Sequence, residues 1–321
     1  AMETVSLAFG KRGMQFFSLL NVLQLFGWTA IMIYQGALAA NAVPPLGLVI
    51  WPIMIGLGVL VWLQIYRHQW SRLNDVGMAL LFILLLLVLY TVLKGSSGEI
   101  IPSDDTFTFA MGVEVAIAMP ISWLPLISDY TKDTKTPKTT AAVSAIAYCA
   151  TGVLMYTIGL VTTLYTGVGD IPLLLLKAGL GLSAVLIVIF STVTTTFLDA
   201  YSAGVSAMCI HPRLKANWVA YASIFLGIVV SLIYPPDRFE NFLLILGAVF
   251  APMAMVMVIH YGLVRSRVLT NQFIVFAFLA WAIGCGAYYY FVHIDFLLGA
   301  TVPSMLLTAI VYGLLCTLGR V

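Results

Sequence analysis

Apolar runs of membrane-crossing length alternate along the whole chain with short polar connections, and that alternation predicts helices. An α-helix rises 1.5 Å per residue, so roughly 20 apolar residues cross the ~30 Å hydrocarbon core of a bilayer. Ten spans are predicted: Gln15–Ala40, Leu46–Tyr66, Val76–Leu93, Phe107–Ile127, Thr140–Tyr165, Gly179–Cys209, Asn217–Ile233, Phe242–Val264, Phe273–Phe291 and Phe296–Leu318. The run Ile171 to Leu176 is too short to cross and is expected at the interface. Connections such as VPPL, GSSGEIIPSDD and YPPDRFE are rich in residues that break helices, and they are too short to hide a second domain. The expected fold class is all-α, a single polytopic transmembrane domain over residues 1–321.

Polar positions inside these spans carry the chemical information. In STVTTTFLDAYSAGVS, residues Ser191, Thr195, Asp199, Ser202 and Ser206 recur at helical spacing and share one face. An acid within a span is costly and points to a cavity or binding site. The hydroxyls have a plainer alternative as helix-to-helix contacts or bonds back to their own helix. In the first span Gln24 and Trp28 are one turn apart beside Gly27. That pair suits a flat hydrogen-bonding heterocycle, and equally an ordinary helix contact with a buried Trp.

The fourth span, FTFAMGVEVAIAMPISWLPLISDYTK, is interrupted by Pro120 and Pro125. A kink or unwound stretch is expected there, of the sort that exposes backbone carbonyls to a cavity in transporters. Glu114 precedes the break and Trp123 follows Pro120; Glu114 is either a site carboxylate or one that reaches water at the outer interface. His260 lies near the end of the eighth span, where a kinked helix and a proton relay are both open.

Composition narrows the class. The chain is 62% hydrophobic and 9% charged, with a mean hydropathy of +1.05, which a soluble domain would not tolerate. The net charge of +2 is too small and dispersed for nucleic-acid binding. Four isolated cysteines and four histidines without HExxH spacing offer no disulfide framework or metal cluster, and no nucleophile–base pair is apparent, so an enzyme is not expected. A non-transporting membrane component and a channel remain as other classes, the latter lacking any filter-like sequence. Assigned to alternate sides, the connections carry twelve basic residues against three, which predicts both ends in the cytoplasm.

Five stretches, FGKRG, NVLQLFGWTA, SWLPLISDYTK, TTTFLDAYSAGVS and FLLILGAVFAPM before HYGLVR, resemble the nucleobase:cation symporter family, most closely its CytX-like branch of hydroxymethylpyrimidine transporters. The resemblance runs from about Phe9 to Arg265 in the family's order. It implies a leucine-transporter-type fold of two inverted five-helix repeats plus two extra helices, and cation-coupled import across the inner or plasma membrane. It further implies that this chain corresponds to family helices three to twelve, with the first two, and half of each site, outside it.

The resemblance and the polar positions within the spans together give the expected site residues. Trp28 and Trp123 would stack on a pyrimidine ring, Gln24, Asp199 and Glu114 would read its polar edge, and Thr194 and Thr195 would ligate sodium. The family's usual glutamine position is Met32 here, with Gln24 one turn to the other side of Trp28, and its Asp-Tyr pair appears as His260-Tyr261. The expected substrate is 4-amino-5-hydroxymethyl-2-methylpyrimidine, a thiamine precursor, with cytosine, another nucleobase or an amino acid as alternatives. The coupling ion is sodium or a proton, and no other cofactor is expected.

Overall fold

Inside hydrocarbon no water is present to pair with backbone N–H and C=O groups, so an apolar chain of this kind satisfies them within helices. The computed structural model describes residues 2–41, 45–65, 71–95, 108–131, 134–166, 181–233, 239–264 and 271–319. Among them the regular elements are helices, with no strand: α1 Ser6–Asn41, α2 Ile50–Ile65, α3 Ser71–Gly95, α4 Phe109–Trp123, α5 Ile127–Thr131, α6 Pro137–Thr166, α7 Gly181–Ile210, α8 Ala216–Ile233, α9 Phe239–Ile259, α10 Asn271–His293 and α11 Thr301–Leu318. Among the described residues nine helical segments are long and apolar enough to cross a membrane, and α2 is a shorter apolar tenth. The chain is a multi-pass helical membrane protein. The interfacial run Ile171 to Leu176 lies outside the described residues.

Two boundaries differ from expectation. The polar lead before the first span is itself helical and packed inside: Met2, Val5, Ala8 and Phe9 are buried, and α1 bends at Gly10, where φ is 67°. Aromatic contacts explain the fold-back, since the Phe9 ring meets Phe17 at 4.7 Å and Phe278 of α10 at 5.2 Å. The fourth span continues through Pro120 and breaks three residues later, in a turn over 124–126 ahead of α5.

Two packed regions hold the helices. Ile33, Ala37 and Ala40 of α1 join Trp51, Ile55 and Val59 of α2, Val193 and Phe197 of α7, and Ala220 and Ile224 of α8. The lead segment, Phe17, Trp28 and Ala118 join Leu243, Phe250 and Val256 of α9, Ala277 of α10 and Tyr312 of α11. Helix α1 belongs to both, so it ties the regions together. Helix α3 packs on α6 and α7, whereas much of α6 presents exposed apolar side chains such as Val143, Ile146 and Leu160. Against lipid tails such faces need no protein partner.

Candidate functional site

Helices α1 and α7 run antiparallel, and two contacts fix their register. Asn21 donates from Nδ2 to Ser206 Oγ at 2.7 Å, and at the other end Gly36 lies against Thr192, where an added Cβ would come within 2.7 Å of the Thr192 methyl. Thr192, Asp199 and Ser206 are spaced by seven residues, two helical turns, and therefore lie along one line of α7. Asp199 is the middle position of that line, level with Trp28 on α1. The sequence-predicted Gln24, Trp28 and Asp199 are thus brought onto one seam. Asp199 is 6% exposed, and its carboxylate has no hydrogen-bond or ion-pair partner among the described residues.

The interrupted α4 contributes to the same seam. Pro125 has no N–H, Leu124 N turns back to Ile121 O, and Leu126 N donates to Trp123 O at 2.9 Å, so the turn leaves the Ser122 carbonyl without a backbone partner. Gln24 of α1 takes it: Nε2 donates to Ser122 O at 3.1 Å and to Asn21 Oδ1 at 2.6 Å. Gln24 is 2% exposed, and its Oε1 is buried without a partner. Trp123 packs with Leu25, Phe26 and Ala203, while Trp28 packs with α9, its ring edge-on to Phe242 at 5.7 Å. Gly27 makes that approach possible, since a Cβ there would come within 2.6 Å of the Phe242 ring. The two tryptophans therefore belong to different clusters.

Thr194 and Thr195 lie one turn from Asp199 on α7. Both hydroxyls donate to the Ser191 carbonyl, at 3.0 and 2.8 Å. Such back-bonding satisfies the hydrogens and leaves oxygen lone pairs, the hard donors an alkali cation uses. A cleft of about 260 Å³ opens further along the α1–α7 seam, lined by Met32, Gln35, Gly36, Ser191 and Thr192 with side chains of α3 and α6.

Glu114 is placed elsewhere. Its Oε1 accepts from Tyr288 Oη at 2.5 Å and Thr301 Oγ1 at 2.6 Å, and its Oε2 from the backbone N–H groups of Ala300 and Thr301 at 2.7 and 2.9 Å. It thereby caps the N-terminus of α11, whose own N-cap Ala300 has no side chain to do so. Gly299 allows the approach: its φ is 69°, and a Cβ would come within 2.8 Å of Glu114 Oε2. His260 is likewise tied down, its Nδ1 2.7 Å from Tyr312 Oη of α11, where α9 passes into the π-turn His260–Val264.

No family model matches the chain, and no curated protein is significantly similar to it. The site is accordingly described by its own geometry. Asn21 joins the site without a motif of its own to mark it. Its signal was present: Gln15, Ser18, Asn21 and Gln24 recur every three residues, a polar stripe in an otherwise apolar helix. Tyr288 and Thr301 carried no comparable signal, since each is an ordinary residue of its own span.

Proposed function

We propose that this protein is a secondary transporter that imports a pyrimidine together with a cation, 4-amino-5-hydroxymethyl-2-methylpyrimidine being the substrate the motif resemblance favours. The observation that carries the proposal is Asp199, a buried carboxylate with no hydrogen-bond or ion-pair partner among the described residues, on the same seam as Trp28 and as Gln24, whose amide keeps a spare acceptor. An ionisable group inside a membrane span is costly and characteristically faces the bundle interior or a cavity, where a transporter uses it to hold a ligand or a coupling ion. Trp28 and Trp123 stack on the ring from α1 and α4, Gln24 and Asp199 accept from its exocyclic amine, and Thr194 and Thr195 ligate sodium. Glu114 is left out of the ligand site because its four bonds are used within the fold. Sodium is the coupling ion the two threonines favour, with a proton on Asp199 as the alternative. The membrane is the inner or plasma membrane, with both ends cytoplasmic.

The helix neighbours support a 5+5 inverted repeat. Exchanging α1 with α7, α2 with α8 and α3 with α9 leaves the packing pairs among these six helices in place: α1–α8 exchanges with α2–α7, α1–α2 with α7–α8, and α1–α9 with α3–α7. Inverted repeats of this kind place their site between the repeats near the bilayer midplane; α1–α7 and α2–α8 are the pairs that exchange with themselves, and α1–α7 is the more extensively packed of the two.

The test is uptake of labelled hydroxymethylpyrimidine by cells expressing the chain, with unlabelled cytosine and amino acids as competitors. Uptake that needs sodium or a proton gradient, and that Asp199→Asn abolishes while the protein remains in the membrane, supports the proposal. Uptake unchanged in Asp199→Asn and Asp199→Ala would sink the assignment of Asp199.

A further inference from the structure

Gln24 is held in one orientation, and that orientation has a consequence for what the site can bind. An amide can present either its oxygen or its NH₂ group, and the two are told apart by their partners. The group facing Ser122 meets a backbone carbonyl, which only accepts, so that group is the NH₂. Its second hydrogen goes to Asn21 Oδ1, and Asn21 is in turn oriented by donating to Ser206. With both hydrogens committed inside the fold, Gln24 can offer a ligand only Oε1, an acceptor, buried and without a partner. A buried acceptor left unpaired costs roughly 1–3 kcal/mol, so the site gains by receiving a donor there. About one turn along the seam, ~6 Å of axial rise, Asp199 offers two more acceptor oxygens and, when ionised, no hydrogen to give.

We propose that Asn21 is a positioning residue that makes the polar edge of this site acceptor-only, so that it selects heterocycles bearing an exocyclic amine over their oxo counterparts. The inference rests on the ligand site proposed above and adds its discrimination rule. A 4-amino group places N–H donors toward Gln24 Oε1 and Asp199. A 4-oxo group at the same position sets a carbonyl against an acceptor that cannot turn, because Asn21 and Ser122 hold the other end of the amide. Asn21 itself touches no ligand in this scheme; it acts through Gln24.

The test is calorimetric binding of two probes, 4-aminopyrimidine and pyrimidin-4-one, to the purified full chain in detergent. The wild type is expected to bind the amino probe about tenfold to a hundredfold more tightly, the range that one unpaired buried polar group produces. Asn21→Leu removes the acceptor that fixes one Gln24 hydrogen while keeping similar volume, which lets the amide present N–H, and the ratio is expected to fall to within about threefold. Asn21→Asp keeps an acceptor for Gln24 and lets the Ser206 hydroxyl turn to donate, so it is expected to restore the ratio; lost packing alone would not be repaired this way. Should Asn21→Leu fail to fold, the wild-type ratio and the Asn21→Asp ratio still decide. Equal binding of the two probes by the wild type, or an unchanged ratio in a folded Asn21→Leu, overturns the discrimination rule while leaving the ligand site standing. Binding of neither probe overturns the rule and the site together.

Discussion

Glu114 and Asp199 are both carboxylates buried within membrane-crossing helices, yet among the described residues four donors enclose the first and none the second. Their sequence contexts look alike: each is a lone acid in an apolar span, with small residues nearby. The difference is made by what other helices bring. Glu114 of α4 meets the N-terminus of α11, whose N–H groups and positive dipole end suit an anion, and Tyr288 of α10 completes its shell. Asp199 of α7 meets the side of α1, where backbone groups are already paired within the helix and Gln24 turns its hydrogens elsewhere. One acid is spent on holding helices together; the other meets no donor among the described residues. Burial alone does not separate these two carboxylates, whereas the count of their donors among the described residues does.

The comparison is broken most forcefully at Glu114. Glu114→Ala strips the partner from two hydroxyls and two backbone N–H groups in a buried nest, and is expected to cost about 3 kcal/mol or more of stability. Thermal denaturation in detergent measures it, with Glu114→Gln falling between the variant and wild type. If Glu114→Ala melts like wild type but loses transport, Glu114 belongs to the ligand site after all, and the two acids do not differ in role.

Asp199 is expected to behave in the opposite sense. Asp199→Asn removes a buried carboxylate that has no partner among the described residues, so the variant should melt at or above the wild-type temperature, by about 1 kcal/mol of added stability. Its uptake should fall about a hundredfold, the size of a hydrogen bond to a charged group. Loss of uptake together with a large loss of stability would mean that Asp199, like Glu114, is a structural acid.

How far the sequence alone reaches follows from the same two residues. The multi-pass helical architecture is legible because hydrophobic runs and breakers are local signals. The α7 polar line and the Gln24–Trp28 pair are legible because both are periodicities within one helix. The fate of Glu114 is not legible, because Tyr288 and Thr301 are 174 and 187 residues away and nothing local marks them as its partners. The position of the break in α4 is half legible. The prolines announce it, but its site, after Trp123, depends on Pro125 withholding an N–H and on Gln24 accepting the freed role at Ser122.

A smaller effect tests the link between the two regions. Gln24→Leu leaves the Ser122 carbonyl unpaired at the α4 break and removes the acceptor of the site, so it is expected to cost about 1–2 kcal/mol of stability and to weaken uptake. Both changes should occur in one variant, unlike at Glu114 or Asp199, because the Gln24 hydrogens are bonded within the fold and its oxygen is the acceptor proposed for the ligand. A variant that lost only one of the two properties would separate these roles.

The smallest expected change is at the threonines. Thr194→Val and Thr195→Val keep the side-chain shape and remove a hydroxyl whose hydrogen is already bonded to the Ser191 carbonyl. Stability should therefore move by less than about 1 kcal/mol, since the helix keeps its own backbone bonds. If the oxygens ligate sodium, the sodium concentration for half-maximal uptake should rise about threefold to tenfold in each variant, without a matching change in the affinity for the pyrimidine measured at saturating sodium. If neither variant alters the sodium dependence, the hydroxyls are helix-bonded residues and nothing more. Coupling would then fall to a proton on Asp199, because Glu114, the other acid buried among the described residues, has its oxygens fully engaged.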